Sequence, residues 1–218
     1  MKKLIIIGGQ GNGTVVASTV EDINQVKKTW EIIGFLNDNV EGDINGYPIL
    51  GNINKETVAK YLADDDVYYF YSLISTKLNY KFLHKLKDLS IPLNKFATVI
   101  HPTAAVSKFS EIGNGVCIQP FVNVGPNTKI GNFIHIFAQS MIGHDAQLED
   151  YSYVANNACI GASVVMKEGA YIGTNATTLE NITIGKWSLV GMGSVVIKDI
   201  DDFTKVVGNP SRVIGKVE

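Results

Sequence analysis

Between Ile100 and Asp201 the chain repeats every six residues without an insertion. Stepping by six from Ile100 meets Val106, Ile112, Ile118, Val124, Ile130, Ile136, Ile142, Leu148, Val154, Ile160, Met166, Ile172, Thr178, Ile184, Val190 and Val196. Fifteen of these seventeen places hold Ile, Val or Leu. Four residues after each comes a small or β-branched one, from Ala104, Ser110 and Val116 through to Ile200. The residue directly after the aliphatic one is Gly in eight hexads, from Gly113 to Gly191. An amphipathic helix repeats at about 3.6 residues and a half-buried strand at about 2, and neither holds one phase over so long a stretch. A fixed short period of this kind marks a parallel β-helix.

The spacing dictates the packing. Each hexad is one short strand plus a corner, and three hexads make a triangular coil of 18 residues. Each aliphatic side chain points inward and stacks on its equivalent in the next coil, at the strand spacing of about 4.8 Å. Small residues fit where the interior narrows, and Gly is expected to supply the backbone angles of the corner. The exposed ends of such a stack need covering by other segments.

Ahead of the repeat the pattern changes. Lys3–Ile7 reads as a buried parallel strand, followed at once by Gly8-Gly9-Gln10-Gly11-Asn12-Gly13 and by helical spacing over Thr14–Ile23, with Thr14 as the starting residue. Strand, glycine loop and helix together aim backbone N–H groups and a helix N-terminus at an anion; the same residues also suit a plain tight turn. The register does not fit the dinucleotide pattern G-x-G-x-x-G. Glu31–Leu36 is a second strand ending at Asn37-Asp38, side chains that either reach a ligand in the crevice or belong to an ordinary loop. An extended piece over 47–51, a helix over Lys55–Leu62, a strand over Val67–Ile74 and a helix over Lys77–Leu89 complete a small parallel, Rossmann-like α/β domain. The expected division is an α/β domain over 1–97, an all-β β-helix over 98–201 and a tail over 202–218.

Charge and cysteine content narrow the function. The net charge is -2, and residues 1–98 carry eleven basic and eleven acidic side chains, so no basic stripe invites nucleic acid. Cys117 and Cys159 are 42 residues apart at outward repeat positions with no secretory signal ahead of them. This favours free thiols in a reducing cytoplasm. No run of about eighteen apolar residues is present to insert in a membrane.

Within the repeat, the hexad Ile142-Gly143-His144-Asp145-Ala146-Gln147 places an imidazole beside a corner. Imidazole accepts a proton near neutral pH, and Asp145 can hold its tautomer. Gly161-Ala162 occupies the same place one coil on, leaving open backbone and a possible N–H donor for a carbonyl. His101 precedes a proline and reads as structural, His84 as a surface residue of a helix. His135 sits at an outward position where it could face a neighbouring subunit. Only His135 and His144 could meet, so no metal site is expected.

These hexads, His144-Asp145, the glycine loop after the first strand and the tail Val207-Gly208-Asn209-Pro210-Ser211-Arg212 resemble the PglD/NeuD-type sugar acetyltransferases. The resemblance spans essentially the whole chain. It implies a left-handed coil, against the usual crossover hand, a homotrimer, and acetyl-CoA lying between adjacent β-helices. By the same resemblance His144 is the general base, Asp145 its acidic companion, and Gly161-Ala162 the backbone facing the thioester. Gly191-Met192-Gly193 and Asn209-Pro210 then line the CoA groove. Gly9, Gln10, Gly11, Asn12 and Gly13 hold a nucleotide-linked amino-sugar, with Asn37 and Asp38 at the next strand end. Three departures bear on the acceptor: Asn12 where the family often has His, Asn37-Asp38 where it often has two acids, and Phe137 where some relatives have Asn. No loop is extruded from any coil, so the acceptor is expected to be held chiefly by the N-terminal domain.

The implied activity is N-acetylation of a nucleotide-linked amino-sugar, such as a 4-amino-4,6-dideoxy hexose of bacterial glycan biosynthesis. O-acetylation of a sialic acid or similar sugar is the alternative within the fold. A non-catalytic nucleotide-sensing β-helix protein is the alternative outside it.

Overall fold

The computed structural model describes residues 1–74 and 79–217, which form two compact units, Met1–Pro102 and Thr103–Glu218. The first contains β1 (Lys2–Ile7), α1 (Asn12–Val26), β2 (Trp30–Leu36), β3 (Asp43–Ile44), β4 (Tyr47–Gly51), α2 (Lys55–Leu62), β5 (Val67–Tyr71) and α3 (Asn79–Asp88). Its sheet runs β3-β4-β2-β1-β5, with β1 parallel to both β2 and β5 and β2 parallel to β4. Leu4, Ile5, Ile6 and Ile7 are fully buried in the middle of it, as a continuous aliphatic run in a parallel sheet must be.

Two expectations shift here. The first helix begins at Asn12 rather than Thr14, because Gly11, at φ 86°, ends the loop and no side chain caps it. Thr14 falls in the first turn, where its hydroxyl donates back to Gly11 O at 2.8 Å. The strand expected to reach Ile74 ends at Tyr71. The expected start of the following helix, at residues 77 and 78, lies outside the described residues.

The second unit is the parallel β-helix that the hexads foretold, with the left-handed coil that the family resemblance implied. Its first face climbs in 18-residue steps from Ala105–Val106 to Val195–Val196, and its second from Glu111–Ile112 to Thr183–Ile184. The third climbs from Cys117–Ile118 to Leu189–Val190. Pairing is in register throughout, Val124 with Ile142 and Ile136 with Val154 for example. The inward column on the first face is shut off from water from Val124 to Val196, and Thr128, Ser140 and Ala146 fill the corners. Corner hydroxyls tie neighbouring coils together: Thr128 Oγ1 lies 2.8 Å from Gly125 O and 3.1 Å from Gly143 O, donating its proton across both. After the last coil, Thr204–Val207 extends the third sheet and Arg212–Lys216 pairs with it antiparallel, covering an edge that would otherwise recruit strands.

The glycines act differently from the expectation. The left-handed corner position is three residues after the aliphatic one; Gly115, Gly169 and Gly193 occupy it with φ between 67° and 70°, but so do Asn127, Phe133, Gln139, Asp145, Tyr151 and Asn157 with φ between 56° and 64°. Asn and Asp tolerate that region. The glycines directly after the aliphatic residue are needed for close approach instead. A Cβ on Gly143 would stand 2.6 Å from Ala162 N, and one on Gly125 2.7 Å from His144 N.

Candidate active site

His144 and Asp145 stand on the corner that follows the first face. The imidazole is 60 % exposed and the carboxylate 48 %. His144 Nδ1 lies 2.5 Å from Asp145 Oδ2, which leaves Nε2 directed away from the pair. Asp145 Oδ1 accepts from Asn127 Nδ2 at 3.0 Å. The bonds from His144 and then Asn127 hold the Asp145 carboxyl below the usual carboxylate range, so it is an anion wherever the imidazole is a useful base.

The ground around the imidazole is bare backbone. Of the residues that follow the aliphatic position on this face, Gly125, Gly143 and Gly161 flank His144, whereas Ser107, Leu179 and Ile197 carry side chains further along. The corner amides differ too. On the second corner three of the corresponding N–H groups are capped by the next coil: Asn114 N–H donates to Asn132 Oδ1 at 2.9 Å, Asn132 N–H to Asp150 Oδ1 at 2.7 Å and Lys186 N–H to Asp202 Oδ1 at 2.7 Å. On the first corner no such cap meets the His144 or Ala162 N–H among the described residues. An uncapped donor beside a glycine stripe is what an extended, carbonyl-bearing ligand can use.

The other residues expected to hold CoA stand elsewhere. Gly191, Met192 and Gly193 follow the third face, and Asn209 and Pro210 follow the strand that extends it. They share one edge of the prism, and His144 with Gly161 and Ala162 stands on another. Met192 is 80 % exposed, and the Asn209–Pro210 bond is cis.

In the first unit the glycine loop is clamped from both sides. A Cβ on Gly8 would meet Ser72 Oγ at 2.2 Å, and one on Gly9 would meet Asn37 Nδ2 at 2.2 Å. Ser72, unremarked in the sequence, donates to Ile7 O at 2.8 Å; its only signal is its place directly after a buried strand. Gln10 and Gly11 are exposed, Asn12 half-buried and Gly13 buried. The first N–H groups of α1 have neither a side-chain cap nor an acidic neighbour in the first turn, so the positive end of a 15-residue helix lies open beside the loop.

Asn37 and Asp38 sit at the carboxyl end of β2, as read from the sequence, but their polar atoms are occupied. Asn37 is buried; its Nδ2 donates to Gly8 O at 3.0 Å, and its Oδ1 accepts from Asn39 N at 2.7 Å and Val40 N at 2.9 Å. Asp38 accepts from Ile53 N at 2.8 Å and pairs with Lys85. Burial pushes the Asp38 carboxyl up, but the Lys85 ammonium and the Ile53 N–H outweigh it and the net shift is downward. Both side chains hold the loop, and together with Asn39, Glu41, Ile49 and Asn52 among others they line a cavity of about 390 Å³.

The remaining histidines are placed plainly. His101 is buried with Nε2 3.2 Å from Asp22 Oδ2, and His84 is exposed. His135, at an outward position from which it could face a neighbouring subunit, is only 2 % exposed and stacks on Tyr153 at 6.5 Å, because large aromatic neighbours close over its column. Cys117 is likewise buried although it takes an outward repeat position, and Cys159 is half-buried; both are free thiols. Among the described residues no three His, Cys, Asp or Glu side chains converge, and no helix is long and apolar enough to cross a membrane.

Residues 3–78 match the family model of the PglD N-terminal domain. Beyond this match, the fold of the whole chain recurs in solved structures. The acetyltransferase domain of PglB from Neisseria gonorrhoeae FA1090, in complex with acetyl coenzyme A, superposes with a TM-score of 0.85 at 24 % identity, covering 98 % of this chain and 99 % of that one. A mutant of perosamine N-acetyltransferase from Caulobacter crescentus, in complex with CoA and GDP-perosamine, gives 0.85 at 23 % identity over 98 % and 97 %. WeeI from Acinetobacter baumannii AYE gives 0.79 at 25 % identity over 97 % and 100 %. No curated protein sequence matches the chain.

Proposed function

We propose that this protein transfers the acetyl group of acetyl-CoA to the amino group of a nucleotide-linked amino-sugar, a 4-amino-4,6-dideoxy hexose by preference. The observation that carries the reading is the His144–Asp145 pair, 2.5 Å apart at an exposed corner, beside glycines and the uncapped Ala162 N–H. The solved structures that share the fold include complexes with acetyl coenzyme A and with CoA and GDP-perosamine, which favours an amine acceptor over a hydroxyl.

The chemistry needs little. Asp145 keeps the His144 proton on Nδ1, so Nε2 is the base. As the acceptor nitrogen attacks the thioester carbon, Nε2 takes a proton from that nitrogen, and the Ala162 N–H stabilises the developing oxyanion. Collapse of the tetrahedral adduct breaks the C–S bond, and the imidazolium returns its proton to the departing thiolate. The products are the amide and free CoA thiol. A positioned base contributes about 10²–10⁴-fold. Among the described residues the side chain bonded to the His144 ring is Asp145 and not a Ser or Cys, so direct transfer is preferred to an acetyl-enzyme.

Gly161-Ala162 and the set Gly191, Met192, Gly193, Asn209 and Pro210 occupy different edges of the prism. One CoA engages both sets where the His144 edge of one copy faces the Met192 edge of another, and three prisms arranged head to tail around an axis form a closed homotrimer. The PglD-type domain is assigned the nucleotide, with Gly9 to Gly13 and the open end of α1 on its phosphates.

A screen of nucleotide amino-sugars and hydroxyl acceptors with acetyl-CoA, following thiol release, tests the reading. Acetylation of an amine acceptor is expected, with His144→Ala losing most turnover while CoA affinity and assembly are retained. Near-wild-type turnover in that variant removes His144 from the mechanism.

A further inference from the structure

Asn127 lies one coil before Asp145 at the equivalent left-handed corner, with φ 58° against 59°. Its Nδ2 donates to Asp145 Oδ1 at 3.0 Å, while Oδ2 of the same carboxylate faces His144 Nδ1 at 2.5 Å. The Asp145 N–H is fixed separately, donating to Pro126 O at 2.9 Å. With the backbone fixed, what remains free in Asp145 is its side-chain torsions, of which the carboxylate's is broad and soft. The side chain is half exposed, so water competes for both oxygens. The Asn127 amide removes that freedom by holding the second oxygen.

The coil itself does not demand this bond. At the same place of the first corner the other coils carry Phe109, Ser163, Asn181 and Asp199. Asn is common at left-handed corners because it tolerates their angles, and Asn157 and Asn175 serve that end elsewhere. Asn127 differs in that its amide reaches the acid paired with the imidazole.

We infer that Asn127 is a positioning residue for acetyl transfer: it orients Asp145 so that the His144 proton stays on Nδ1 and Nε2 stays free to act as base. The inference rests on the catalytic reading of His144 and Asp145 given above. Asn127 touches neither the acceptor nor the thioester in this assignment.

The test is Asn127→Gly in the full-length chain, since Gly keeps the left-handed angles and loses only the amide. Nitrogen-15 NMR of the His144 ring reports the tautomer without any acceptor. In the wild type Nε2 is expected to be the unprotonated nitrogen, and in Asn127→Gly a mixture of tautomers. With an acceptor, kcat should fall roughly tenfold, as expected for one lost hydrogen bond to a charged group. KM for acetyl-CoA and the melting temperature should stay near wild type. Asn127→Asp places a second carboxylate beside the first and should move the acid limb of the kcat profile to higher pH, because added negative charge favours the imidazolium. Wild-type tautomer and kcat in Asn127→Gly, alongside an inactive His144→Ala, would overturn the role of Asn127 alone. An active His144→Ala would overturn the catalytic reading beneath it.

Discussion

Gly143→Ala probes fold and chemistry with one methyl group. The added Cβ would stand 2.6 Å from Ala162 N, 2.7 Å from Gly161 C and 2.8 Å from Ala162 Cα. Ordinary carbon contact begins at about 3.4 Å, so two coils must part by roughly 0.6–0.8 Å against three backbone atoms. Parting strains the ladder bonds on either side, Gly143 N–H to Ile160 O at 2.9 Å and Ser163 N–H to His144 O at 2.9 Å. Overpacking of this kind costs about 1–3 kcal/mol. For a chain of this length that lowers the melting temperature by about 2–12 °C. The same methyl covers the Ala162 N–H. If that donor meets the oxyanion, kcat falls by about 10²–10³ at 25 °C, far more than the stability loss explains for a protein still folded in the assay. Thermal unfolding followed by circular dichroism and a thiol-release assay read the two effects separately. Ser107→Ala, at the same place on the first coil, is the control and should change neither. An unchanged melting temperature would refute the close-approach argument, and unchanged kcat would remove Ala162 as the oxyanion donor.

Two further predictions concern the N-terminal domain. Asn37→Ala removes a buried bond to Gly8 O and part-buried bonds from Asn39 N and Val40 N, so it should destabilise by roughly 1–3 kcal/mol and weaken nucleotide binding, both measurable by denaturant titration and calorimetry; wild-type values for both would show the loop to be self-supporting. The Asp38 carboxyl is held below its ordinary value, so the stability it contributes is present above the unfolded carboxylate pKa and is lost as pH falls through the lower folded value. Lys85→Ala should flatten that acid-side loss in a melting series from pH 7 to pH 3, and a profile parallel to wild type would mean the pair is too solvated to matter.

Some of the site was legible in the residues alone and some was not, for physical reasons. His144 and Asp145 are adjacent in sequence, so a local pattern sufficed to pair them. Gly161-Ala162 could be placed beside them because the period is unbroken and eighteen residues always return the chain to the same corner. Asn127 escaped notice because Asn at a corner is unremarkable until its amide is seen to reach Asp145. Ser72 and Lys85 act through contacts between separate elements, which no spacing rule reports. The purpose of the hexad glycines was misjudged for a related reason: a residue type shows that Cβ is unwelcome, but not whether an angle or a neighbouring coil excludes it. His135 and Cys117 follow the outward rule of the repeat, yet they are buried, since the rule describes the direction of a side chain and not what covers it.

By itself, the sequence determined the β-helix, its coil length and its in-register stacking, because a six-residue aliphatic period has one way to bury every member. It also determined the strand, glycine loop and helix at the start of the chain. Only the tertiary structure decided that Asn37 and Asp38 hold the loop as well as line the cavity beside it, and that the His144 and Ala162 amides lack the side-chain cap that Asn114, Asn132 and Lys186 have. Those outcomes depend on hydrogen bonds between residues far apart in the chain, and such bonds are chosen by distance and orientation after the backbone has closed, not by any local pattern.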